Sequence, residues 1–400
     1  MTKTLIIGGG ISGCTAALEL AQSNNSVTLL ESHNRIGGNV LDYCCKATKD
    51  CSQCSVCIAF THFNEFYHNK SINLITGASV TSVAKTGGGK TARIVRSHPI
   101  IDHKNCISCN ACVSACPEKC ITKDQKGNFT QYAIDYSHCR IHQGKECTVC
   151  ADVCPTKAVE CGQKTSELEI GYDQVIIATG HDAFDPKHKP RYGYGQFKNV
   201  ITGKEAEALL AHRRSLGDGG EDVAFVQCVG SRDPHIGRNY CSSICCAYAL
   251  RIARVLKYND PDSKITIYYI DIQNFDKTFT HLHNELIESG IRFVRGLPFT
   301  IEENGNGKLK LLIEDAKNNT TVAFHDRVVL SVGLAPSSSA SNMAEIFNLK
   351  QDEFGFLQSD DKDVYICGTC HEPMNISDSI AGARAAAYEI GKRVLAKGSV

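Results

Sequence analysis

Short apolar runs alternate with helical repeats along the chain. Near the N-terminus, residues 4–7 and 27–30 predict strands, and residues 14–21 between them predict a helix. The alternation returns in strand-like runs at residues 172–177, 222–226, 264–271, 291–294, 327–332 and 363–366, and in helical patterns at residues 281–288 and 378–387. Strands that alternate with helices in this way predict an α/β fold built from βαβ units.

The turn after the first predicted strand carries a glycine fingerprint. Gly8, Gly10 and Gly13 form a GxGxxG pattern, and Glu31 ends the second predicted strand. Such glycines let the backbone approach a pyrophosphate, whose charge the helix N-terminus stabilises, while the acidic residue accepts a ribose hydroxyl. The complete βαβ context favours nucleotide binding over the alternative, a glycine-rich structural turn.

Further segments resemble those of flavoproteins with two dinucleotide-binding domains, which indicates FAD rather than NAD. Residues 35–38 resemble the extension after the acidic residue, 172–180 and 327–336 the two crossover strands, and 363–368 with 378–387 the last strand, loop and helix. The FAD domain is therefore expected to be assembled from both ends of the chain. The predicted FAD-binding residues are Gly8, Gly10, Ser12, Gly13, Glu31, Arg35, Gly37, Gly38, Ala178, Thr179, Gly180, Gly368, Asp378 and Ser379.

Composition adds one unusual property, which is 22 cysteines among 400 residues. Disulfide scaffolds are short and secreted, whereas this chain opens on a predicted strand without a signal-peptide pattern, so metal binding in a reducing compartment is favoured. No apolar run approaches the length of a membrane span. The 43 basic residues balance 43 acidic ones, which argues against a broad nucleic-acid-binding surface. We expect a cytoplasmic protein whose partners are other redox proteins.

Residues 106–117 contain the CxxCxxCxxxCP run of bacterial two-cluster ferredoxins. A second run, at 147–155, also ends in Cys-Pro. Because the fourth cysteine of such a run usually serves the other cluster, we assign one [4Fe–4S] cluster to Cys106, Cys109, Cys112 and Cys154, and another to Cys139, Cys147, Cys150 and Cys116. Zinc is the alternative metal. Cys120 and Cys161 are interpreted as small buried residues rather than ligands.

Four cysteines occupy the place where a flavin disulfide reductase carries its second nucleotide-binding turn. The predicted strand 222–226 leads into Cys228 instead of a glycine-rich turn, and Cys241, Cys245 and Cys246 follow. Thiolates favour iron–sulfur clusters or zinc. We predict a degenerate nucleotide-binding domain that carries a metal centre, with a strained disulfide or simple packing as the alternatives.

A third cysteine group follows the predicted FAD turn. Cys51, Cys54 and Cys57 have CxxCxxC spacing, and Cys44 or Cys45 is the candidate for a fourth ligand. We hypothesise an additional [4Fe–4S] cluster here, and unligated thiols or a redox-active pair remain open as alternatives.

Residues 367–371 match the CxxCH pattern of covalent haem attachment. We reject this interpretation because such attachment requires export and because the motif coincides with the last strand and loop of the flavoprotein pattern. Cys370 and Met374 are instead expected beside the flavin.

Over nearly all 400 residues, the chain resembles the flavin-containing A subunit of heterodisulfide reductase and its relatives. Its most specific match is residues 227–246, where Cys228, Cys241, Cys245 and Cys246 correspond to cysteines that hold a [4Fe–4S] cluster in that family. The resemblance implies a thioredoxin-reductase-like α/β flavoprotein, with a Rossmann-like FAD domain, a degenerate second βαβ domain and an inserted two-cluster ferredoxin domain. It also implies a homodimer within a larger complex, and as partners heterodisulfide reductase B- and C-like subunits, ferredoxin or other iron–sulfur carriers, and a hydrogenase or dehydrogenase module.

The expected domain boundaries follow this pattern. The FAD-binding domain comprises residues 1–98, 162–205 and 323–400, the inserted ferredoxin domain residues 99–161, and the degenerate domain residues 206–322. The expected function is that of an FAD- and iron–sulfur-containing oxidoreductase subunit, which exchanges electron pairs at FAD for single electrons along the clusters. The alternative is a stand-alone flavoenzyme that acts on a small substrate.

Met374 departs from the family pattern. Many proteins of this family have a lysine at this place, after the residue that corresponds to Pro373, and that lysine is thought to approach the reactive flavin nitrogen. A cation stabilises an anionic reduced flavin and a thioether does not. Electron bifurcation, confurcation and simple relay therefore stay open at this stage.

Overall fold

A five-stranded parallel sheet is built from both ends of the chain, as the sequence predicts. The computed structural model describes residues 1–23, 25–86, 89–162, 164–212, 215–273, 279–315 and 319–397. In spatial order, the strands of this sheet are Val364–Ile366, Gln174–Ile177, Thr2–Ile7, Asn25–Glu31 and Ile72–Thr76. Both faces of the sheet are covered, which explains why its strands are apolar without alternation.

Different elements cover the two faces of the parallel sheet. Ile6 and its neighbours on one face pack against three helices, which are Ile11–Ala21, Val56–His68 and Ile376–Lys397. Leu5 and Ile7 on the other face pack against an antiparallel sheet and one helix. The strands of that sheet are Thr165–Tyr172, Gly89–Ser97 and Ala78–Thr86, and the helix is Ala340–Phe347.

The segment predicted as a ferredoxin insertion forms a small unit with its own core. It opens and closes on the paired strands Ile100–Ile101 and Val159–Glu160. Between them lie the short helices Ala111–Ala115 and Val149–Asp152, and the hairpin of Ile121–Lys126 and Phe129–Ile134. Cysteines make up much of the interior, where Cys112, Cys139 and Cys150 are buried beside Tyr132.

A seven-stranded sheet forms the second domain. Its strands, in spatial order, are Val200–Thr202, Arg327–Val332, Asp222–Val229, Lys264–Tyr269, Arg292–Glu303, Leu309–Asp315 and Thr320–His325. Val200–Thr202 and Arg327–Val332 lie outside the predicted range 206–322, because Arg327–Val332 pairs with Val200–Thr202 and with Asp222–Val229 rather than with the FAD-binding sheet. The strand predicted at 291–294 continues to Glu303, since it also pairs with a hairpin strand.

Helices pack on the second sheet through regularly spaced apolar residues. The helix Cys245–Asn259 buries Ala249, Ile252, Ala253 and Leu256, which have the i, i+3, i+4, i+7 spacing of one helix face. The other helices of this domain are Gly203–His212 and Phe279–Glu288. Two further strand pairs are His181–Ala183 with Leu334–Pro336, and Lys350–Gln351 with Leu357–Gln358. None of the helices in the described part of the chain has the length and apolarity needed to span a bilayer.

Candidate functional site

One large cavity of about 1190 Å³ lies between the parallel sheet and the second domain. It opens at the carboxyl ends of the parallel strands, where ligands bind in open α/β sheets. The predicted FAD-binding residues that line it are Gly8, Gly10, Ser12, Glu31, Arg35, Gly37, Gly38, Ala178, Thr179, Gly180, Asp378 and Ser379. Segments that are distant in sequence therefore meet around one space.

The cavity wall has the features of a cofactor cradle. A Cβ atom on Gly10 would meet no protein atom within 4 Å, so the space in front of this residue is free. A free space before the glycine turn fits a bound dinucleotide.

Two predicted FAD-binding glycines lie behind the cavity wall rather than in it. A Cβ atom on Gly13 would stand 1.9 Å from the Gly8 carbonyl oxygen, and one on Gly368 would stand 2.2 Å from Ser12 Oγ. Both positions permit a close approach of two segments. These glycines therefore shape the cavity without facing it.

Glu31 is held at the edge of the cavity by its own turn. Its Oε2 accepts a hydrogen bond of 2.6 Å from the Gly9 amide, and its Oε1 accepts one of 2.8 Å from the His33 amide. The hydrogen bond to Glu31 also raises the pKa of His33. The carboxylate is thus oriented where the fingerprint requires a ribose acceptor.

The last loop presents Met374 to the cavity and turns Cys370 away from it. Met374 and Thr369 line the cavity. The Cys370 thiol is buried and donates to the carbonyls of Ile177 at 3.4 Å and Cys367 at 3.3 Å. The sequence predicted Cys370 beside the flavin. The side chain instead lies behind the cavity wall, because the short 3-10 turn of residues 368–370 directs it towards the sheet.

His181 faces the same cavity and escaped the sequence reasoning. Its Nδ1 lies 2.8 Å from Thr369 Oγ1, and its carbonyl accepts a hydrogen bond of 2.9 Å from the Asn39 side chain. Burial lowers the pKa of His181 to about 4, so the imidazole is neutral at pH 7. Its position directly after the predicted FAD-binding turn of residues 178–180 was the sequence feature that could have identified it as a cavity residue.

Each ferredoxin-like cysteine set surrounds one space of its own. Cys106, Cys109, Cys112 and Cys154 line a small cavity of about 10 Å³. Cys116, Cys139, Cys147 and Cys150 line another of about 20 Å³. The crosswise assignment made from sequence therefore groups the thiols as the fold does, and four thiolates around one space fit an iron–sulfur cluster.

The two remaining cysteines of the insertion lie beside the second set. Cys120 is buried, as expected, but Cys161 is half-buried, because it follows the short strand that closes the insertion. Cys120 Sγ lies 3.5 Å from Cys116 Sγ, and Cys161 Sγ lies 3.7 Å from Cys150 Sγ. Both therefore touch predicted ligands.

The insertion is joined to the loop that carries Arg35. The Asn34 side chain donates to the Ile134 carbonyl at 2.6 Å and accepts from the Ile134 amide at 3.1 Å. Gln131 donates to the Ile36 carbonyl at 3.0 Å, and Arg35 pairs with an aspartate of the hairpin, Asp124. The FAD-side loop and the cysteine-bearing unit thus share direct contacts.

The four cysteines of the second domain come together at the start of its main helix. Cys228, Cys245 and Cys246 are buried, and the Cys245 thiol interacts with those of Cys228 and Cys246. Cys241 is half-buried and lines the large cavity. The thiols thus form one group that reaches the cavity through Cys241.

The backbone around these cysteines is unusual. Cys228, Arg232 and Ser243 have φ values of 59°, 53° and 58°, which non-glycine residues seldom adopt and which concentrate at functional sites. The Gln227 amide and the Ser231 hydroxyl are buried without a hydrogen-bond partner among the described residues. Unpaired polar groups beside four thiols fit a centre with acceptor sulfurs.

The third cysteine group is less uniform. Cys54 is half-buried and lines the large cavity, Cys44 is buried, and Cys45, Cys51 and Cys57 are exposed. Burial raises the pKa of Cys44 to about 11. The structure thus places only Cys54 of this group at the cavity wall within the described residues.

A buried ion pair fixes this cysteine-rich loop to the second domain. Lys46 Nζ donates to Glu207 Oε2 at 2.7 Å and to the Cys44 carbonyl at 3.2 Å, and the Cys44 amide donates to the same carboxylate oxygen at 3.1 Å. Both charged side chains are about 5% exposed or less. Despite the ammonium, burial raises the pKa of Glu207. Sequence reasoning found neither residue.

A single metal ion needs its ligands closer together than the thiols stand in these cysteine groups. In the described ranges, no three His, Cys, Asp or Glu side chains are close enough together to hold one metal ion.

A match to one family model extends along most of the chain and identifies its family. A family model described as pyridine nucleotide-disulphide oxidoreductase matches residues 2–388. The chain belongs to this family. Membership in the pyridine nucleotide-disulphide oxidoreductases confirms the predicted oxidoreductase class and supports the predicted FAD.

Two proteins with assigned names are similar in sequence to this chain. The chain is 34% identical to the A subunit of the H(2):CoB-CoM heterodisulfide,ferredoxin reductase of Methanothermobacter marburgensis, over 96% of this chain and 63% of that protein. It is 32% identical to the iron-sulfur A subunit of the CoB--CoM heterodisulfide reductase of Methanocaldococcus jannaschii, with the same shares. The predicted resemblance to the A subunits of heterodisulfide reductases is therefore confirmed, and the chain spans less than two thirds of the length of these relatives.

Solved structures confirm the fold class. The thioredoxin reductase of T. acidophilum superposes with a TM-score of 0.54 at 14% identity, covering 99% of this chain and 100% of that one. A NAD-dependent persulfide reductase from A. fulgidus gives 0.51 at 18% identity, covering 98% and 59%. At these identities the likeness shows the pyridine nucleotide-disulphide oxidoreductase fold alone.

Proposed function

We propose that the chain is the FAD- and iron–sulfur-carrying electron-transfer subunit of a heterodisulfide-reductase-like complex. In this proposal the terminal substrate chemistry belongs to B- and C-like partner subunits, and ferredoxin or a related carrier exchanges single electrons with the insertion. The names of the relatives support this class of complex. Bound FAD would supply exchange between electron pairs and single electrons, and the clusters would supply single-electron steps.

One observation carries the proposal: Cys241 lines the same cavity as the predicted flavin-binding residues. Ser379 and Met374 on the FAD side and Cys241 on the second domain share one continuous wall. Cys241 in turn belongs to the buried group that contains Cys228 and Cys245. A metal centre held by these thiols would lie next to the space for the flavin, where a nicotinamide lies in enzymes that use one.

The second domain also lacks room for a pyridine nucleotide at its usual turn. A Cβ atom on Gly230 would stand 2.0 Å from the Phe184 ring, so this aromatic side chain fills the space against the turn. The helix that follows begins with Cys245 and Cys246, so thiols stand at the helix end that binds a pyrophosphate in nucleotide-binding domains. These features support electron transfer rather than hydride transfer in this domain.

Replacing Cys241 by serine tests the proposal. We expect anaerobically purified Cys241→Ser protein to retain FAD and to lose the electron paramagnetic resonance signal of one reduced cluster, since a hard hydroxyl replaces a soft ligand. Reduction of a ferredoxin by the flavin should become at least tenfold slower. Ser243→Ala is the matched control, because Ser243 lines the same cavity without a thiol and should leave both properties unchanged. Rapid NAD(P)H turnover by the wild-type chain alone would favour the stand-alone flavoenzyme instead.

We also propose that Cys51, Cys54 and Cys57 hold an additional [4Fe–4S] cluster, with Cys44 or Cys45 as the fourth ligand. The backbone around Cys54 has the conformation found around Cys109 in the first ferredoxin-like run. Ser55 has φ 62° and ψ 5° and precedes a helix, and Asn110 has φ 63° and ψ 4° and precedes a helix in the same way.

The residues that precede Cys54 and Cys109 also have similar backbone conformations. Gln53 has a φ of 50° and Ser108 one of 57°. The Gln53 amide donates to Cys51 Sγ at 3.4 Å, an amide-to-sulfur contact of the kind that stabilises a thiolate ligand. The shared backbone shape of this loop and the first ferredoxin-like run supports a cluster at this place.

The loop is anchored to both sides of the cavity. Arg251 on the main helix of the second domain donates to the Ser52 carbonyl at 2.9 Å. Ser55 Oγ lies 2.8 Å from Oγ of Ser377, which is in the first turn of the last helix of the FAD-binding part. These contacts support a place for the additional cluster between the flavin space and the second-domain cysteines.

Iron analysis tests the additional cluster. Four [4Fe–4S] clusters correspond to about sixteen irons per chain, and three correspond to about twelve. We expect the higher count in wild-type protein and a loss of about four irons in Cys51→Ser, since one ligand of this group is removed. A wild-type content near twelve would contradict the additional cluster and leave the other three intact.

A further inference from the structure

Two cysteines that are not assigned as ligands touch the ligands of one ferredoxin-like centre only. The second centre is the set of Cys116, Cys139, Cys147 and Cys150, and the first centre is the other set of the insertion. Cys120 lies 3.5 Å from Cys116 and Cys161 lies 3.7 Å from Cys150, measured between sulfur atoms. The thiol contacts that the structure records in the insertion thus fall on the second centre.

The internal symmetry of the insertion shows what Cys120 replaces. Lys119 and Lys157 each stand three residues after the last cysteine of a run, with φ values of 51° and 54°. The next residue is Cys120 in the first run and Ala158 in the second. The Ala158 amide donates to Cys154 Sγ at 3.2 Å. At equivalent positions, the first centre is therefore lined by an alanine, which has no side-chain donor, and the second by a cysteine, which carries a thiol.

The chemistry of the contacts follows from the ligand state. A cysteine that binds iron does so as a thiolate and has no proton to donate. A free thiol 3.5–3.7 Å away keeps its proton and becomes the donor of an S–H···S hydrogen bond. Reduction adds negative charge to the cluster and its ligands, so a donated hydrogen bond stabilises the reduced form more than the oxidised form.

We infer that Cys120 and Cys161 are hydrogen-bond donors that raise the reduction potential of the second centre above that of the first. The inference rests on the proposed function, since it requires both clusters of the insertion. It gives the insertion a direction, because an electron shared between the two centres then resides mainly on the second. The first centre, with Cys109 exposed, is the more accessible to a carrier.

The experiment is a redox titration of anaerobically purified full-length protein, followed by electron paramagnetic resonance. A Cys139→Ser variant identifies the second centre as the signal that disappears. We expect the double variant Cys120→Ala, Cys161→Ala to keep its full iron content and to shift only that signal to lower potential. The expected shift is about tenfold in the one-electron equilibrium constant, which corresponds to about 59 mV. Alanine is accommodated at Ala158, the position equivalent to Cys120.

The control is the double variant Cys120→Ser, Cys161→Ser, which keeps a donor at each place and should stay close to the wild-type potential. An unshifted signal in the alanine variant overturns the inference, and so does an equal shift of all signals. Loss of about four irons from the alanine variant would show that these thiols are ligands and would overturn it as well. Wild-type protein without the second signal would refute the proposed function itself, together with this inference.

Discussion

Replacing Lys46 by methionine is expected to destabilise the protein by about 3–5 kcal/mol. The Lys46 and Glu207 side chains are 4% and 5% exposed and pair at 2.7 Å, so the change leaves a carboxylate buried without its partner. The pair joins the cysteine-rich loop to the second domain, and the loss therefore falls on this contact. The measurement is the midpoint of urea unfolding under anaerobic conditions, at unchanged cofactor content.

Two variants distinguish the effect of an unpaired buried charge from the effect of losing any ion pair across this interface. The double variant Lys46→Met, Glu207→Gln should recover most of the loss, because no unpaired charge remains. Asp42→Asn breaks the Lys204–Asp42 pair across the same interface, and its side chains are 46% and 43% exposed, so it should cost less than about 1 kcal/mol. Equal losses in Lys46→Met and Asp42→Asn would contradict the assignment.

The Lys46→Met variant should also acquire a pH dependence. Burial raises the pKa of Glu207 above its unfolded value, so the folded variant binds a proton more readily than the unfolded chain does. Its stability relative to wild type should therefore improve as the pH falls towards about 4.3, the ordinary pKa of glutamate. Unfolding midpoints at pH 5 and pH 8 check this sign.

The second large effect is expected for Gly10→Ala, which should weaken FAD binding by roughly 10- to 100-fold, equivalent to an overpacking cost of about 1–3 kcal/mol. Gly10 has an extended backbone, with φ −75° and ψ −173°, which alanine also adopts. A Cβ atom there meets no protein atom within 4 Å, so the new methyl group disturbs only a molecule in the cradle. Flavin released by gel filtration, followed by titration of FAD into the apoprotein, measures the change.

Gly391→Ala is the matched control for this variant. Gly391 lies in the helix Ile376–Lys397, and a Cβ atom there also meets nothing within 4 Å, but the residue is distant from the cavity lining. It should leave FAD binding unchanged and stabilise the helix slightly. Gly13→Ala should behave differently again, losing fold stability together with FAD, since its Cβ atom would clash with the protein itself. Undiminished FAD affinity in Gly10→Ala would place the cofactor elsewhere.

Local motifs explain why much of the cavity was predictable from sequence. Gly8, Gly10 and Glu31 lie in one βαβ unit, whose spacing fixes their geometry. The crosswise grouping of Cys116 with Cys139, Cys147 and Cys150 was also predictable, because two-run ferredoxins impose it. In both cases the chemistry is specified by the order of a few residues.

Long-range packing explains what sequence reasoning missed. Lys46 and Glu207 are 161 residues apart, and neither has a local pattern that announces its partner. The orientation of Cys370 depends on one turn, which directs its thiol at the Ile177 carbonyl instead of the cavity. The contacts of Cys120 and Cys161 depend on how the two halves of the insertion fold together. Such features follow from tertiary structure rather than from spacing.

The contacts of Asn34, Arg35 and Ile36 with the insertion have a consequence for maturation. This short stretch of chain borders the FAD cavity through Arg35 and holds the hairpin of the insertion through Asn34 and Ile36. Binding free energies are reciprocal, so a ligand that orders the stretch from one side strengthens whatever binds on the other. Under the proposed function, iron starvation of the cell would also lower the flavin occupancy of this protein, and flavin shortage would impair its retention of iron.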